Sequence, residues 1–384
     1  MENDKNKQLS RVFFYISYTI LVIKTIWEKL SIVQSLKNYL TIFEFLLLII
    51  CILLQERKYK YKTVFLMLIP FSIIIYSYSL TKNYNIIILI LSVFAVKNID
   101  IKSLIKYDIK IKVFLLMSNI FFIFIGVIPN IVLYRDVGIP RYTLGFSSPN
   151  SFGGIVFSIC LESIYLNYEK IGFFSYVKLF LVIIMLDIIC ASRSVEICLV
   201  ILMILIPIYK NKIRLKKFIP YIMISYTVIS FFLVYLYGEG NSIAIKLDIL
   251  FSTRLKCAYN FLNLYNINLF GNFFEEVEGW IGYVNTLDNG YIYLMLNQGI
   301  FIYIIIAYYN ILLMKNTIKN KNNILIVVLI VLYTYGLMER GVFFIVYNIF
   351  LLYIKDIVYK REMWEEEISR DEKKGINKYN STNI

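Results

Sequence analysis

The chain alternates long apolar runs with short polar stretches rich in lysine. A bilayer core about 30 Å thick needs roughly 17–25 apolar residues in a helix. Twelve segments approach that requirement: 12–27, 39–54, 63–80, 84–96, 113–134, 151–168, 176–191, 195–209, 218–237, 289–313, 324–337 and 341–358. The fourth and eleventh are short and need flanking residues to span. None shows the two-residue alternation of a barrel strand, and Ile- and Leu-rich runs of this length are helical in lipid. The pattern predicts an all-α polytopic membrane protein with about twelve transmembrane helices. Residues 1–358 form one transmembrane domain in this reading, followed by a charged tail over 359–384. The first segment follows a polar leader without a small-residue cleavage site, so it is expected to be retained.

Most connections are short. The exception is 238–288, which carries Gly238, Gly240, Gly271, Gly279 and Gly282 beside an acidic patch of Glu275, Glu276 and Glu278. Within it, residues 252–266 read as an amphipathic helix with Leu255, Tyr259, Leu262 and Tyr265 on one face. Trp280 and its tyrosine neighbours fit an interfacial belt. A loop of this length on a tight bundle points to a lid or a binding surface. No internal repeat is visible, which argues against an inverted-repeat transporter.

The charges orient the spans. Of the 40 Lys and Arg residues, 29 fall in one alternating set of loops and 10 in the other, with Lys24 inside the first span. The rich set holds the N-terminus, the 55–62 and 97–112 loops, Lys170, Lys178, the 210–217 cluster, 315–321 and the stretch from Lys355 onward. By the positive-inside rule this side is cytoplasmic, with both termini on it, and 238–288 lies outside the cytoplasmic membrane. The net charge of +14 is then an orientation signal that meets lipid headgroups, and no nucleic-acid partner is needed to explain it.

Composition removes much chemistry. The chain has no His, which excludes Ser-His-Asp triads, HExxH zinc sites and His-ligated haem. Cys51, Cys160, Cys190 and Cys198 lie in apolar stretches, Cys257 stands alone, and no paired spacing suggests a metal or disulfide. Any catalysis must use Arg, Lys, carboxylates, hydroxyls and backbone dipoles.

The outer charges differ in kind from the inner ones: five of the ten are Arg. Orientation does not require Arg, whereas bidentate contact with phosphate oxygens does. Arg141 precedes Ser148-Pro149-Asn150, which reads as a helix start with Ser148 as N-cap, Pro149 at the first helical position, and Gly153 and Gly154 admitting another backbone. Free N–H groups there, with a nearby Arg, suit a phosphate. Arg193 sits in ASRSVE with almost no loop around it; it is either functional or paired with Glu196 one turn on. Arg254 opens the amphipathic segment, and Arg340 stands beside Glu339 in a tight turn. Asp288 begins the tenth span, as a helix cap or as a base.

Together these motifs resemble the Wzy-type repeat-unit polymerases of surface polysaccharide synthesis, in the superfamily of O-antigen ligases. The resemblance rests on Arg-x-x-x-Gly-Phe-x-x-Pro-Asn at 141–150, the SRS turn with Arg193, a large outer loop containing S-x-R-L at 252–255, and Leu-Asp-Asn-x-Tyr at 287–291. It covers about residues 135–300 by motif. It implies a GT-C-like bundle and a metal-independent membrane glycosyltransferase without a cofactor. Its substrates would be undecaprenyl-diphosphate-linked oligosaccharides at the outer face of the membrane, with a flippase and chain-length regulator as partner proteins. Arg141, Arg193 and Arg254 would contact diphosphates, joined by Arg340, Ser148 and Asn150 from the reading of the residues, while Asp288, Glu339 or Glu196 would activate a hydroxyl. O-antigen ligases resemble a pattern with a His in the large loop, which this chain lacks. The other readings are a transporter or flippase for the same lipid-linked sugar, or a ligase-like transferase.

Overall fold

A computed structural model describes residues 2–55, 72–135, 138–210, 218–274 and 286–359. The chain is helical, and five of its described helices are long and apolar enough to cross a membrane: Asp4–Ile26, Ser31–Leu53, Phe173–Cys190, Ile219–Gly238 and Ile300–Lys319. Two shorter apolar helices, Asn85–Ala95 and Asn323–Tyr335, accompany them.

α1 (Glu2–Ile26) and α2 (Ser31–Leu53) form a hairpin. Lys24, the basic residue inside the first apolar run, is buried there and pairs with Glu44 at 2.5 Å while donating to Thr41 Oγ1 at 2.9 Å. The expected third span, 63–80, falls partly outside the described residues, which resume in a helix over 72–81, α3. α4 (Asn85–Ala95) is short, as its apolar run predicts.

The fifth element departs from expectation. α5 spans Ile101–Phe124, with Asp100 as N-cap accepting from Ser103 N at 2.9 Å. It therefore begins inside the stretch read as a cytoplasmic loop and ends before 134. The remainder forms an antiparallel hairpin, β1 (Val132–Arg135) with β2 (Ile139–Tyr142), in which Leu133 faces Arg141. Four-residue strands carry too short a pattern to separate from a long apolar run.

α6 (Pro149–Leu166), α7 (Phe173–Cys190) and α8 (Arg193–Lys210) match their predicted spans closely. α7 leaves Phe173, Phe174, Phe180, Leu181 and Ile188 exposed, an apolar outer face that suits lipid better than water. A short turn at Ile219–Tyr221 leads into α9 (Ile222–Gly238). The long connection that follows folds into α10 (Ser242–Leu250) and α11 (Arg254–Leu264), the latter within the 252–266 stretch read as an amphipathic helix. Trp280 and the acidic patch at 275–278 lie outside the described residues, as do most of the 210–217 cluster and the tail from 360.

The tenth apolar run is not one helix. α12 (Gly290–Tyr293) widens into a π-turn over Leu294–Gln298 and stops at Gly299, before α13 (Ile300–Lys319). Gly299 has φ of 93°, and a Cβ there would meet Gly271 N at 2.4 Å and Leu269 O at 2.5 Å. The 268–272 segment inserts against the break: Asn272 N donates to Asn297 O at 3.1 Å, and Ile300 N to Asn268 O at 3.1 Å. α14 (Asn323–Tyr335) is largely enclosed, with ten of its thirteen residues buried. The last apolar run, 341–358, is irregular: 3-10 turns at Arg340–Phe343 and Ile349–Ile354 lead into α15 (Lys355–Val358). Such backbone is tolerated at membrane depth when protein covers it, and Val342, Phe343, Ile349, Phe350, Leu351 and Leu352 are all buried.

Contacts gather the loops by their charge set. At one end, Arg11 Nε donates to Asn98 O at 2.8 Å, Lys355 Nζ to Ile99 O, and Tyr359 OH to Phe94 O at 3.0 Å. Lys210 Nζ and Asn323 Nδ2 tie neighbouring loops by longer bonds to Ile171 O and Tyr209 O. The loops of the arginine-bearing set meet at the other end. Cysteines placed at positions 245 and 321 of a cysteine-free protein should therefore be labelled from opposite sides of a sealed membrane by an impermeant thiol reagent. Labelling of both from one side would break the two-ended arrangement.

Candidate functional site

The site is built on the segment between α5 and α6. Asn119, near the end of α5, donates to Leu144 O at 2.7 Å and pins the segment to the helix. Gly145 sits at φ of 79° against that amide, where a Cβ would lie 2.7 Å from Asn119 Nδ2. Phe146 is buried against Phe152. Ser148 caps α6, accepting from Ser151 N at 3.2 Å, and Pro149 occupies the first turn. The cap prediction holds, and it commits the Ser148 hydroxyl to the helix. Gly153 and Gly154 do admit close neighbours, but these are side chains: Ser192 at Gly153, Tyr335 and Tyr347 at Gly154.

Arg141 leaves β2 toward the junction of α7 and α8. Its Nε donates to Cys190 O at 2.8 Å and its Nη2 to Asn150 Oδ1 at 2.6 Å, to which Ser192 Oγ also donates at 3.4 Å. Both partners of Arg141 are neutral. Burial pushes the guanidinium below its ordinary pKa; Cys190 and Glu339 oppose that, while the nearby positive charges of Arg254 and Arg193 reinforce it. α7 ends on Ala191 in the left-handed region, φ 42°, which allows the abrupt reversal that makes Arg193 the first residue of α8. Arg193 makes one long bond, 3.4 Å, to Ile249 O.

Arg254 starts α11, where Asp248 accepts from Leu255 N at 2.8 Å and Lys256 N at 3.1 Å. Ser252 and Thr253 hold φ of 58° and 65°, turning the chain between α10 and α11. The Arg254 side chain is 8% exposed and heavily committed. It donates to Met338 O, to Phe251 O at 3.1 Å and, as a close ion pair, to Glu339 Oε1; Asp288 Oδ2 lies 3.8 Å away. Ser194 adds a donor to Glu339 Oε1 at 3.0 Å. Burial pushes the Glu339 carboxyl up to about 7; Arg254 pulls it down and Asp288 pushes it further up. Burial also opposes the charge on Arg254, but Glu339 and Asp288 outweigh it and hold its pKa above the ordinary value.

Asp288 was a candidate cap. The structure gives that role to Asn289, whose Oδ1 accepts from Tyr291 N and Ile292 N at 3.1 Å while its amide donates to Ser230 Oγ and Leu337 O, both at 3.0 Å. Asp288 is thereby free to face Arg254. Arg340 turns away and lies over the Tyr293 ring at 5.2 Å, at the margin of the group. Glu196 is half-buried one turn along α8, and Glu339 lies within hydrogen-bonding distance of Arg254.

The fold thus brings Arg141, Asn150, Arg193, Arg254, Asp288 and Glu339 to one end from five separate segments. Sequence reading missed Ser194, although it lies in the ASRSVE turn, and the capping role of Asn289. With both carboxylates ionised, three arginines face two negative charges; protonation of Glu339 leaves one. The chain matches no protein-family model, no curated protein and no solved structure.

Glu339 loses its negative charge as pH falls through about 7, releasing Arg254 toward an added anion. Sulfate keeps a constant charge over that range, so its affinity should rise as pH falls through 7. In Glu339→Gln the affinity should be pH-independent over the same range. A wild-type affinity indifferent to pH, measured by calorimetry, would separate Glu339 from the anion site.

Proposed function

We propose that this protein is a membrane glycosyltransferase that polymerises lipid-linked oligosaccharide repeat units at the outer face of the cytoplasmic membrane. The observation that supports it most is the meeting of Arg141, Arg193 and Arg254, from three segments distant in sequence, at one partly buried end of the bundle. Arginine stays charged where water is scarce and matches diphosphate oxygens in pairs. In this reading Arg141 and Arg193 carry the diphosphate, since their guanidinium groups meet no carboxylate within salt-bridge distance among the described residues. Arg254 joins them when Glu339 is protonated. Two opposite charges about 4 Å apart gain on the order of 4 kcal/mol at an effective dielectric near 20, so several such contacts stabilise a departing diphosphate.

The reaction breaks the bond between the anomeric carbon of the growing chain and its lipid diphosphate, and forms one to a hydroxyl of the incoming unit. The proton of that hydroxyl passes to a base. Glu339 is the best placed of the three candidates, because a carboxyl titrating near 7 can accept a proton at neutral pH and return it. Asp288 faces the same guanidinium, and Glu196 stands further along α8. An apolar groove of about 580 Å³, lined by Thr227, Phe231, Tyr235, Met295 and Tyr303 among others, runs between α9 and the broken α12–α13. It suits the isoprenoid chain of such a substrate, since Ser230 on the same helix anchors Asn289 beside Asp288. The twelve-span topology, the cytoplasmic termini and a dependence on flippase and chain-length regulator proteins belong to this proposal.

Arg141→Lys should be nearly as damaging as Arg141→Ala, because an ammonium cannot reproduce a forked contact. Each should lower polymer yield about tenfold or more, given that a charge-assisted hydrogen bond is worth about 1.5–3 kcal/mol. Unchanged polymer length and yield in both variants would remove Arg141 from the site. Deleting the gene should leave single lipid-linked repeat units on the outer face. Units held on the cytoplasmic face would instead identify a flippase, and the enzyme reading would fail.

A further inference from the structure

A second group of charges is buried between α5 and α6, away from the arginines. Lys112 Nζ donates to Glu162 Oε1 at 2.7 Å and to Ser158 Oγ at 3.1 Å. It also lies 2.6 Å from Asp108 Oδ2, one turn back on its own helix. Asp108, Lys112 and Glu162 are each 0% exposed. From α1, Tyr18, 3% exposed, sets its hydroxyl beside the Asp108 carboxyl but outside good hydrogen-bond geometry.

The charges in this group do not balance. Fully ionised, two carboxylates face one ammonium. The remaining titratable groups around them are Tyr18 of α1, Tyr107 of α5 and Cys160 of α6, none of them basic. On the other elements packed against α5 and α6, Asp187 of α7 is exposed, and Cys198 of α8 and Tyr335 of α14 have Glu339 as their charged neighbour. Tyr353 of the Ile349–Ile354 turn bonds Tyr165.

Hydrogen bonds do not balance either. Ser158 spends its proton on Ile155 O at 2.8 Å, so it offers the carboxylates no donor. Asp108 Oδ2 meets only the Lys112 ammonium, and Asp108 Oδ1, Glu162 Oε2 and the Tyr18 hydroxyl have no hydrogen-bond partner. An uncompensated charge in such a place costs several kcal/mol. One proton removes the net charge and supplies the missing O–H donor at once.

We propose that Asp108 and Glu162 together form a binding site for a single proton, carried as part of the folded protein, with Lys112 balancing the remaining carboxylate. The proton comes from solvent and adds to a carboxylate oxygen; no other bond changes. The same two helices carry the arginine end: α5 through Asn119, which holds Leu144, and α6 through Ser148 and Asn150 at its start. Losing the proton places an unmatched negative charge in the α5–α6 seam and loosens the segment that presents Arg141. This proposal stands whether or not the protein is a polymerase.

The full-length protein in lipid nanodiscs provides the test. Wild-type protein at neutral pH should show an infrared carbonyl band of a protonated carboxyl that shifts in heavy water. The difference spectrum against Asp108→Asn, and against Glu162→Gln, should contain that band, because either amide leaves one carboxylate balanced by Lys112. Above the ordinary carboxylate range the folded state holds one more proton than the unfolded chain, so wild-type Tm should fall as pH rises. Both amide variants should flatten that fall, while Lys112→Met should lower Tm throughout. Absence of the band from both difference spectra would overturn the proposal. Should neither amide variant fold, the infrared titration of the wild type decides: a protonated carboxyl lost as pH is raised, together with the fall in Tm, upholds it, and no such loss overturns it.

Discussion

The ion pair between Arg254 and Glu339 joins the start of α11 to the turn that follows α14. Glu339 follows the largely buried α14 and so inherits a fixed position. Arg254 opens α11, whose Leu255, Ala258 and Phe261 are buried against Val234 of α9 and Ile292 and Tyr293 of α12. Once Arg254 has left water, its charge must be met inside, and the Glu339 carboxylate with the Met338 and Phe251 carbonyls meets it. Removing one partner of such a pair leaves a buried charge and costs about 3–5 kcal/mol. The ion pair therefore adds an electrostatic tie to the apolar packing that seats α11, and Ser194 and Asp288 are drawn to the same point.

This fastening also sets what the site can do near neutral pH. A carboxylate fully stabilised by arginine would stay ionised at any ordinary pH, and its partner would stay occupied. Burial works against that outcome and brings the Glu339 carboxyl to about 7. The pair thus sits near the balance between a closed, neutralised state and one in which Arg254 is available to another anion. Few arrangements of fixed residues give an anion site a titratable competitor of this kind.

Much of the fold was legible in the sequence because an apolar run of helix length has few alternatives in lipid. α6, α7, α8 and α9 lie within a few residues of their predicted bounds. The failures occur where hydropathy carries no information about backbone. The run 289–313 is apolar on both sides of Gly299, so the break there is invisible until the 268–272 segment is seen to fill it. The final run is equally apolar and yet not a regular helix, since its polar backbone is covered by neighbours. At the site, the arginines were legible from residue type: lysine suffices for orientation, and arginine was left over. Their partners were less so. Asp288 and Asn289 are adjacent residues that both make good caps, and only the contacts of Ser230 and Leu337 decide between them. Lys112 was assigned to a loop because counting lysines by position ignores whether an acid waits across the helix. Glu162, in the middle of an apolar run, was the signal that went unread.

Among the described residues, Lys24, Lys112 and Arg254 are buried and Arg141 is half-buried, and their partners differ in kind. Lys24, Lys112 and Arg254 each meet a carboxylate directly. Their charge is spent within the protein, and replacing such a pair by apolar residues need not harm a fold. Arg141 is held by a carbonyl and an amide, which fix the direction of the guanidinium without cancelling its charge. That orientation has a cost, because Arg193 and Arg254 stand near enough to repel it and burial disfavours it. A protein assembled only for stability would supply an acid there, as it does at the other three positions. Under the proposed function, an anion from outside is what compensates Arg141, which makes Arg141, more than Arg254, the residue on which a bound phosphate group would depend.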